Sequence, residues 1–147
     1  MRNSPFKLTM GLLVAVVSGS CGKPEGPPPP NVVLISIDTL RADHLSCYGY
    51  RRNTSPEIDA LARHGALFEQ HITSAPWTLP AHTAMFTSVP DSVHGVTSPI
   101  GNRLAEEFET LPESFQGAGY ETAGFFAGPY LHPAFGLGQG FDRYVDC

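Results

Sequence analysis

Asn31-Val32-Val33-Leu34-Ile35-Ser36-Ile37-Asp38 decides how this chain is read. Val32 to Ile37 is a near-continuous apolar run rich in β-branched residues, the pattern of a parallel strand buried on both faces. Asp38 closes it. In an open α/β sheet the carboxyl ends of the strands face the ligand crevice, so an aspartate there is placed for function. The same residue could equally serve a turn, with Thr39 and Asp43 offering loop hydrogen bonds beside it.

Past Asp38, residues 41–53 read as loop. Thr54-Ser55-Pro56-Glu57 opens a helix: Thr54 with Glu57 is a capping-box pattern, and Pro56 suits a first turn. Ile58, Leu61 and Ala62 share a face, and Arg63-His64-Gly65 ends the helix. His64 reads as an end-of-helix charge and not as a ligand. Residues 66–72 predict a strand, 73–79 a loop, and Pro80 to Thr87 a helix with proline in its first turn. Residues 89–103, rich in Pro, Ser, Gly and Asn, read as loop. Thr110-Leu111-Pro112-Glu113 caps another helix, which ends at 117–119. Residues 120–126 predict a further strand, and 128–147 an irregular, glycine-containing tail. Gly136-x-Gly138-x-Gly140 follows no strand and opens no helix, so it does not read as a phosphate-binding loop. The order strand, helix, strand, helix, helix, strand predicts an α/β fold with helices around a mixed or parallel sheet.

Before Asn31 the composition changes. Arg2 and Lys7 precede an apolar run from Leu8 to Val17, then Ser18-Gly19-Ser20 and Cys21. Residues 1–20 read as an export signal, too short to span a bilayer. Small residues before a cysteine resemble the lipobox of bacterial lipoproteins, with Ser18 where leucine is usual. That likeness makes Cys21 the expected lipidation site and the cell envelope or periplasm the expected location. Plain secretion is the alternative. Residues 21–30 end in consecutive prolines, an extended spacer. The domain is then residues 31–147.

The formal net charge is −5. An acidic chain argues against nucleic acid and anionic lipid as main partners, leaving the membrane to the lipid anchor alone. Apart from Cys21 only Cys47 and Cys147 remain. Export permits a disulfide, but spacing does not pair them.

Pro76-Trp77-Thr78-Leu79-Pro80-Ala81-His82 carries the candidate chemistry. A threonine hydroxyl is a weak nucleophile until its proton is removed or its pKa lowered. The dipole of a helix starting at Pro80 would favour negative charge beside Thr78, and His82 would lie one turn in. A divalent metal held by Asp38 would polarise a phosphoryl or sulfuryl oxygen. The competing reading makes Thr78 a helix N-cap.

Several segments, taken in order, resemble one family. These are Asn31 to Asp38, Leu45-Ser46-Cys47-Tyr48-Gly49-Tyr50, Thr54 to Ala62, Phe68, Trp77 to His82, His94-Gly95, Gly119-Tyr120-Glu121-Thr122 and Gly140-Phe141-Asp142-Arg143-Tyr144. Together they resemble the amino-terminal part of the sulfatases, in the alkaline-phosphatase-like superfamily. The resemblance implies an α/β sandwich, incomplete at the carboxyl end, with Asp38 as a metal ligand. Thr78 falls at the nucleophile position, which also contacts the metal, and His82 lies beside it as a catalytic residue. It implies calcium for sulfatase chemistry and zinc or manganese for phosphoryl transfer, with a small sulfate or phosphate ester as substrate.

The likeness has departures. Thr78 stands where sulfatases mature a cysteine or serine to formylglycine, and His82 replaces the signature arginine. Asp38-Thr39 replaces paired aspartates. Phe126-Ala127-Gly128-Pro129 stands where a lysine and histidine contact sulfate. The family's remaining ligands, an Asp-His pair among them, lie in a carboxyl-terminal half that 147 residues do not reach, so little catalysis is expected of this chain alone. Three functions follow: a metal-dependent sulfate ester hydrolase; a phosphoryl or phosphonate ester hydrolase or transferase using Thr78; and a non-catalytic surface lipoprotein.

Overall fold

The computed structural model describes residues 27–147. The export signal and Cys21 therefore lie outside the described residues. The chain divides into two units, Met1–Ser36 and Ile37–Cys147. In the first, residues 28–36 run without regular structure and exposed to solvent. In the second, the elements are α1 (Pro56–His64), α2 (Thr78–Thr87), α3 (Asp91–His94), α4 (Leu111–Gly117), β1 (Ala123–Phe126) and β2 (Arg143–Asp146), with short 3-10 turns between them.

Two expected strands are absent among the described residues. Val32–Ile37 has the composition of a strand but forms none, and Val33 and Ile35 are 81% and 76% exposed. Residues 66–72 are irregular, with Phe68 and Ile72 exposed. A strand needs a neighbouring backbone for its N–H and C=O groups, and apolar composition alone does not provide one. The pairing that does form is β1 with β2, parallel, in the register Ala123↔Arg143 to Phe126↔Asp146. Strand β2 lies inside the stretch expected to be an irregular tail.

Parallel partners need a crossover, and here it is two 3-10 turns, Pro129–Leu131 and Pro133–Phe135. Aromatic stacking closes it: Phe126 on Tyr144 at 4.6 Å and Phe141 on Tyr144 at 5.0 Å between ring centroids. The Tyr144 hydroxyl donates to the Leu131 carbonyl at 2.8 Å, and burial pushes its pKa up to about 12. Asp142 holds the start of β1 by accepting the Thr122 amide at 2.7 Å.

Helix α4 starts as the sequence predicts. Thr110 and Glu113 form a reciprocal capping box. Gln139 joins it, donating to Glu113 Oε2 at 3.1 Å, while the Thr110 hydroxyl also faces the Gln139 carbonyl at 3.1 Å. Gly140 follows with φ 80° and its Cα against the Glu113 backbone, so no side chain fits there.

Helix α1 keeps Pro56 in its first turn and Gly65 at its end, but its cap differs from expectation. Ser55, not Thr54, is the N-cap residue, and Thr54 donates instead to the His44 carbonyl at 2.6 Å. Buried Asp59 accepts the Cys47 amide at 2.8 Å and the Ser55 hydroxyl at 3.0 Å, tying α1 to the Ser46–Tyr48 turn. Burial and the neighbouring Asp59 push the Cys47 thiol pKa up, so it behaves as a packing group. Cys47 and Cys147 are both free thiols.

The core sits under α2. Leu79, Val96, Leu104 and Leu137 form its buried cluster, with Trp77, Phe86, Phe108, Leu131, Phe135 and Tyr144 packed around it. No helix among the described residues is long and apolar enough to cross a membrane.

Candidate active site

Helix α2 begins two residues earlier than its proline suggested, so Thr78 is the first residue inside the helix and Trp77 is the N-cap. No side chain caps this end. The alternative role for Thr78, a cap bonded to its own helix, is therefore not what the structure shows. Its hydroxyl instead donates to Asp38 Oδ2 at 2.8 Å, across forty residues of sequence.

Asp38 uses both oxygens. Oδ2 takes the Thr78 hydroxyl, and Oδ1 accepts the Thr39 amide at 3.0 Å. Asp38 is exposed and Thr78 half-buried, so the pair is open to a ligand. Thr39 has φ 57°, a left-handed conformation that is an outlier for a β-branched residue.

The first turn of α2 supports negative charge. Its leading backbone N–H groups have no partner inside the helix, and the helix dipole is positive at this end. The carboxylate of Asp38 meets the helix there.

His82 lies one turn in, only 8% exposed, with Nδ1 2.8 Å from the Thr78 carbonyl. A carbonyl only accepts, so Nδ1 carries the proton in this contact. His82 thus reaches Thr78 through its backbone and braces the turn that presents the hydroxyl. Leu79, Pro80 and Thr83 form the buried side of the same helix, and the Thr83 hydroxyl donates back to the Leu79 carbonyl at 2.8 Å.

His94 carried part of the resemblance, but residues 89–103 read as loop, and the structure places a short helix, α3, there instead. His94 ends α3, is 5% exposed, and accepts the Val96 amide on Nδ1 at 3.0 Å. Its proton therefore sits on Nε2, a buried atom with no hydrogen-bond partner among the described residues. Burial lowers its pKa, against a weaker opposing pull from Asp91. Pro90 ahead and Gly95 behind, which has φ 71°, were the legible signals for this short helix.

As to a metal, Asp38 and Thr78 offer hard oxygen donors of the kind that calcium, magnesium and manganese favour. Two such donors are fewer than any of these ions takes. Among the described residues no group of three or more His, Cys, Asp or Glu side chains could hold an ion.

Comparison with known proteins bears on what this pair belongs to. The Sulfatase family model matches residues 30–146. The chain belongs to the sulfatase family. Within it, the chain is 33% identical to steryl-sulfatase of Mus musculus over 124 residues, covering 76% of this chain and 20% of that protein. It is 34% identical to iduronate 2-sulfatase of Homo sapiens over 105 residues, covering 70% of this chain and 18% of that one. Among solved structures it resembles the phosphonate monoester hydrolase of Agrobacterium radiobacter, with TM-score 0.67 and 29% identity over 78% of this chain and 25% of that one. That likeness fits the expected alkaline-phosphatase-like α/β fold, of which β1, β2 and the surrounding helices are the described part. The chain spans about a fifth of the length of the steryl-sulfatase it matches.

Proposed function

We propose that residues 31–147 carry the nucleophile side of a metal-dependent ester hydrolase site that acts on small sulfate esters. Residues 1–20 export the chain to the cell envelope, and residues 21–30 hold the domain off the membrane from a lipidated Cys21. The observation that carries the functional reading is the Thr78 Oγ1 to Asp38 Oδ2 bond of 2.8 Å at the first turn of α2.

In this reading Thr78 is the nucleophile. Its oxygen bonds to the sulfur of the ester, and the bond from sulfur to the leaving alcohol oxygen breaks. The Thr78 proton leaves along the bond it already makes to Asp38 and ends on the departing alcohol. Water then attacks the Thr78 ester, releases sulfate and restores the hydroxyl. His82 braces the helix turn and helps stabilise the anion there. Asp38 and Thr78 would hold a divalent cation: calcium for sulfate esters, zinc or manganese for phosphoryl esters. Such an ion would lower the hydroxyl pKa and polarise the ester.

A second reading gives the same residues to a phosphate or phosphonate ester, by hydrolysis or transfer. Thr78 favours it, because its alcohol is a direct nucleophile and not a residue matured to an aldehyde. The likeness to a phosphonate monoester hydrolase points the same way.

The experiment compares aryl sulfate, aryl phosphate and phenylphosphonate monoester hydrolysis with and without added divalent metal. In the sulfate reading whatever turnover the chain gives is of the aryl sulfate, requires metal, and is abolished by Thr78→Ala. Removing the proton acceptor with Asp38→Ala costs on the order of 100-fold. Preference for phosphate or phosphonate selects the second reading. No hydrolysis of any of the three esters, with or without metal, leaves the non-catalytic surface lipoprotein.

A further inference from the structure

Thr39 breaks a local rule beside the candidate site. Residues 38 and 39 form a turn whose second residue has φ 57°. Turns that need a positive φ there take glycine or asparagine, because a Cβ crowds the backbone and a β-branched one crowds it most. Ser88 is the one other non-glycine residue with positive φ among the described residues, and it sits in an ordinary helix C-cap. Thr39 has no such helix end to explain it.

The consequence of the turn is seen at Asp38. The chain reverses immediately after this residue, which puts Asp38 at the bend. From there one carboxylate oxygen meets the Thr39 amide at 3.0 Å and the other meets the Thr78 hydroxyl at 2.8 Å. The carboxylate is thus held at two points, one on its own turn and one on α2. Without the Thr39 amide, an exposed aspartate side chain would sample several rotamers and meet Thr78 only part of the time. Strained backbone of this kind persists only where surrounding contacts over-determine it, and it concentrates at functional sites.

We infer that Thr39 is a positioning residue: its left-handed turn and backbone amide, not its side chain, aim Asp38 at Thr78. The inference rests on the reading of Asp38 and Thr78 as the site. It assigns the second turn position to the backbone, so the hydroxyl of Thr39 is dispensable there.

Two substitutions separate the turn from the side chain. Thr39→Gly keeps the amide and adopts positive φ freely. Thr39→Pro fixes φ near −65° and removes the N–H. The first readout is the nuclear Overhauser effect between the Asp38 Hβ and Thr78 Hβ protons in metal-free protein. The second is thermal unfolding. We expect Thr39→Gly to keep the Overhauser effect and raise Tm by about 2 °C, strain release exceeding the entropy glycine adds to the unfolded chain. Thr39→Pro should lose the Overhauser effect while keeping its helical circular dichroism.

An Overhauser effect that survives in Thr39→Pro overturns the inference, as does its loss, or a lower Tm, in Thr39→Gly. If Thr39→Pro does not fold, Thr39→Gly alone decides. A third readout is broadening of Thr78 signals by manganese. Wild type and Thr39→Gly should agree within about twofold and Thr39→Pro should need about tenfold more metal, the scale of losing an orienting group beside a metal. Tenfold weakening in Thr39→Gly would make the hydroxyl a ligand and overturn the inference. If wild type shows no broadening, the metal reading falls, and the Overhauser comparison still judges the turn.

Discussion

Leu79 is the residue next to the proposed nucleophile, and its side chain is fully buried. It packs with Val96, Leu104 and Leu137, each 0–1% exposed. Truncating it to alanine removes a fully buried side chain and leaves a cavity between α2 and the segments carrying Val96 and Leu137. Transfer of the lost methyl groups and the cavity together cost about 3 kcal/mol, within the range for buried leucines. At about 3 °C per kcal/mol for a domain near this size, Tm should fall by about 9 °C. That is a large share of the stability of an ordinary domain, so Leu79→Ala should be partly unfolded well below the wild-type transition. Leu79→Met, which nearly conserves volume, should cost less than about 1.5 kcal/mol. Urea denaturation followed by circular dichroism measures both. A Leu79→Ala loss below about 1 kcal/mol would refute the placement of α2 on this core. Equal losses for Ala and Met would show that shape, and not cavity volume, governs the site.

Thr110→Ala should lose about 2 kcal/mol, because it removes the N-cap of α4 and leaves the half-buried Gln139 carbonyl without its hydroxyl; thermal unfolding checks it. Thr110→Ser should recover most of that loss. His94 gives a pH dependence. Its folded-state pKa lies below the unfolded value near 6.5, so the unfolded chain binds the extra proton first. The stability contributed by neutral His94 is fully present above pH 6.5 and is lost as pH falls from there through the folded pKa. In His94→Gln this part of the slope should vanish from the pH profile of the unfolding free energy; an unchanged slope would place the titration elsewhere.

Local signals were the legible ones. Thr110 and Glu113 named their helix start because a capping box is written within four residues. Pro56 and Gly65 bracketed α1 for the same reason. Pairing was not legible. Val32–Ile37 carries the strand pattern and forms no strand, whereas Arg143–Asp146, four residues with little apolar signal, forms one because Ala123–Phe126 lies beside it. Strand identity is a property of two segments, and sequence order shows one at a time. The site was legible in part. Asp38 and Thr78 stood out by chemistry and resemblance, but spacing alone favoured Thr78 as a cap. What separates the roles is the direction of one hydroxyl, toward Asp38. His94 stood out by resemblance, but its burial was not legible, because a buried histidine at a short helix end looks like any surface one in sequence, apart from Pro90 and Gly95 around it.

The most direct test of the central claim is a trapped covalent adduct on Thr78. The protein is incubated with an activated aryl sulfate, or an aryl phosphonate, and divalent metal, quenched in acid, and its peptides are read by mass spectrometry. We expect one sulfuryl or phosphonyl group on Thr78, dependent on metal and sharply reduced in Asp38→Ala. Esters hydrolysed with the label on another residue, or with Thr78→Ala as active as wild type, would contradict the claim that Thr78, held by Asp38, is the nucleophile.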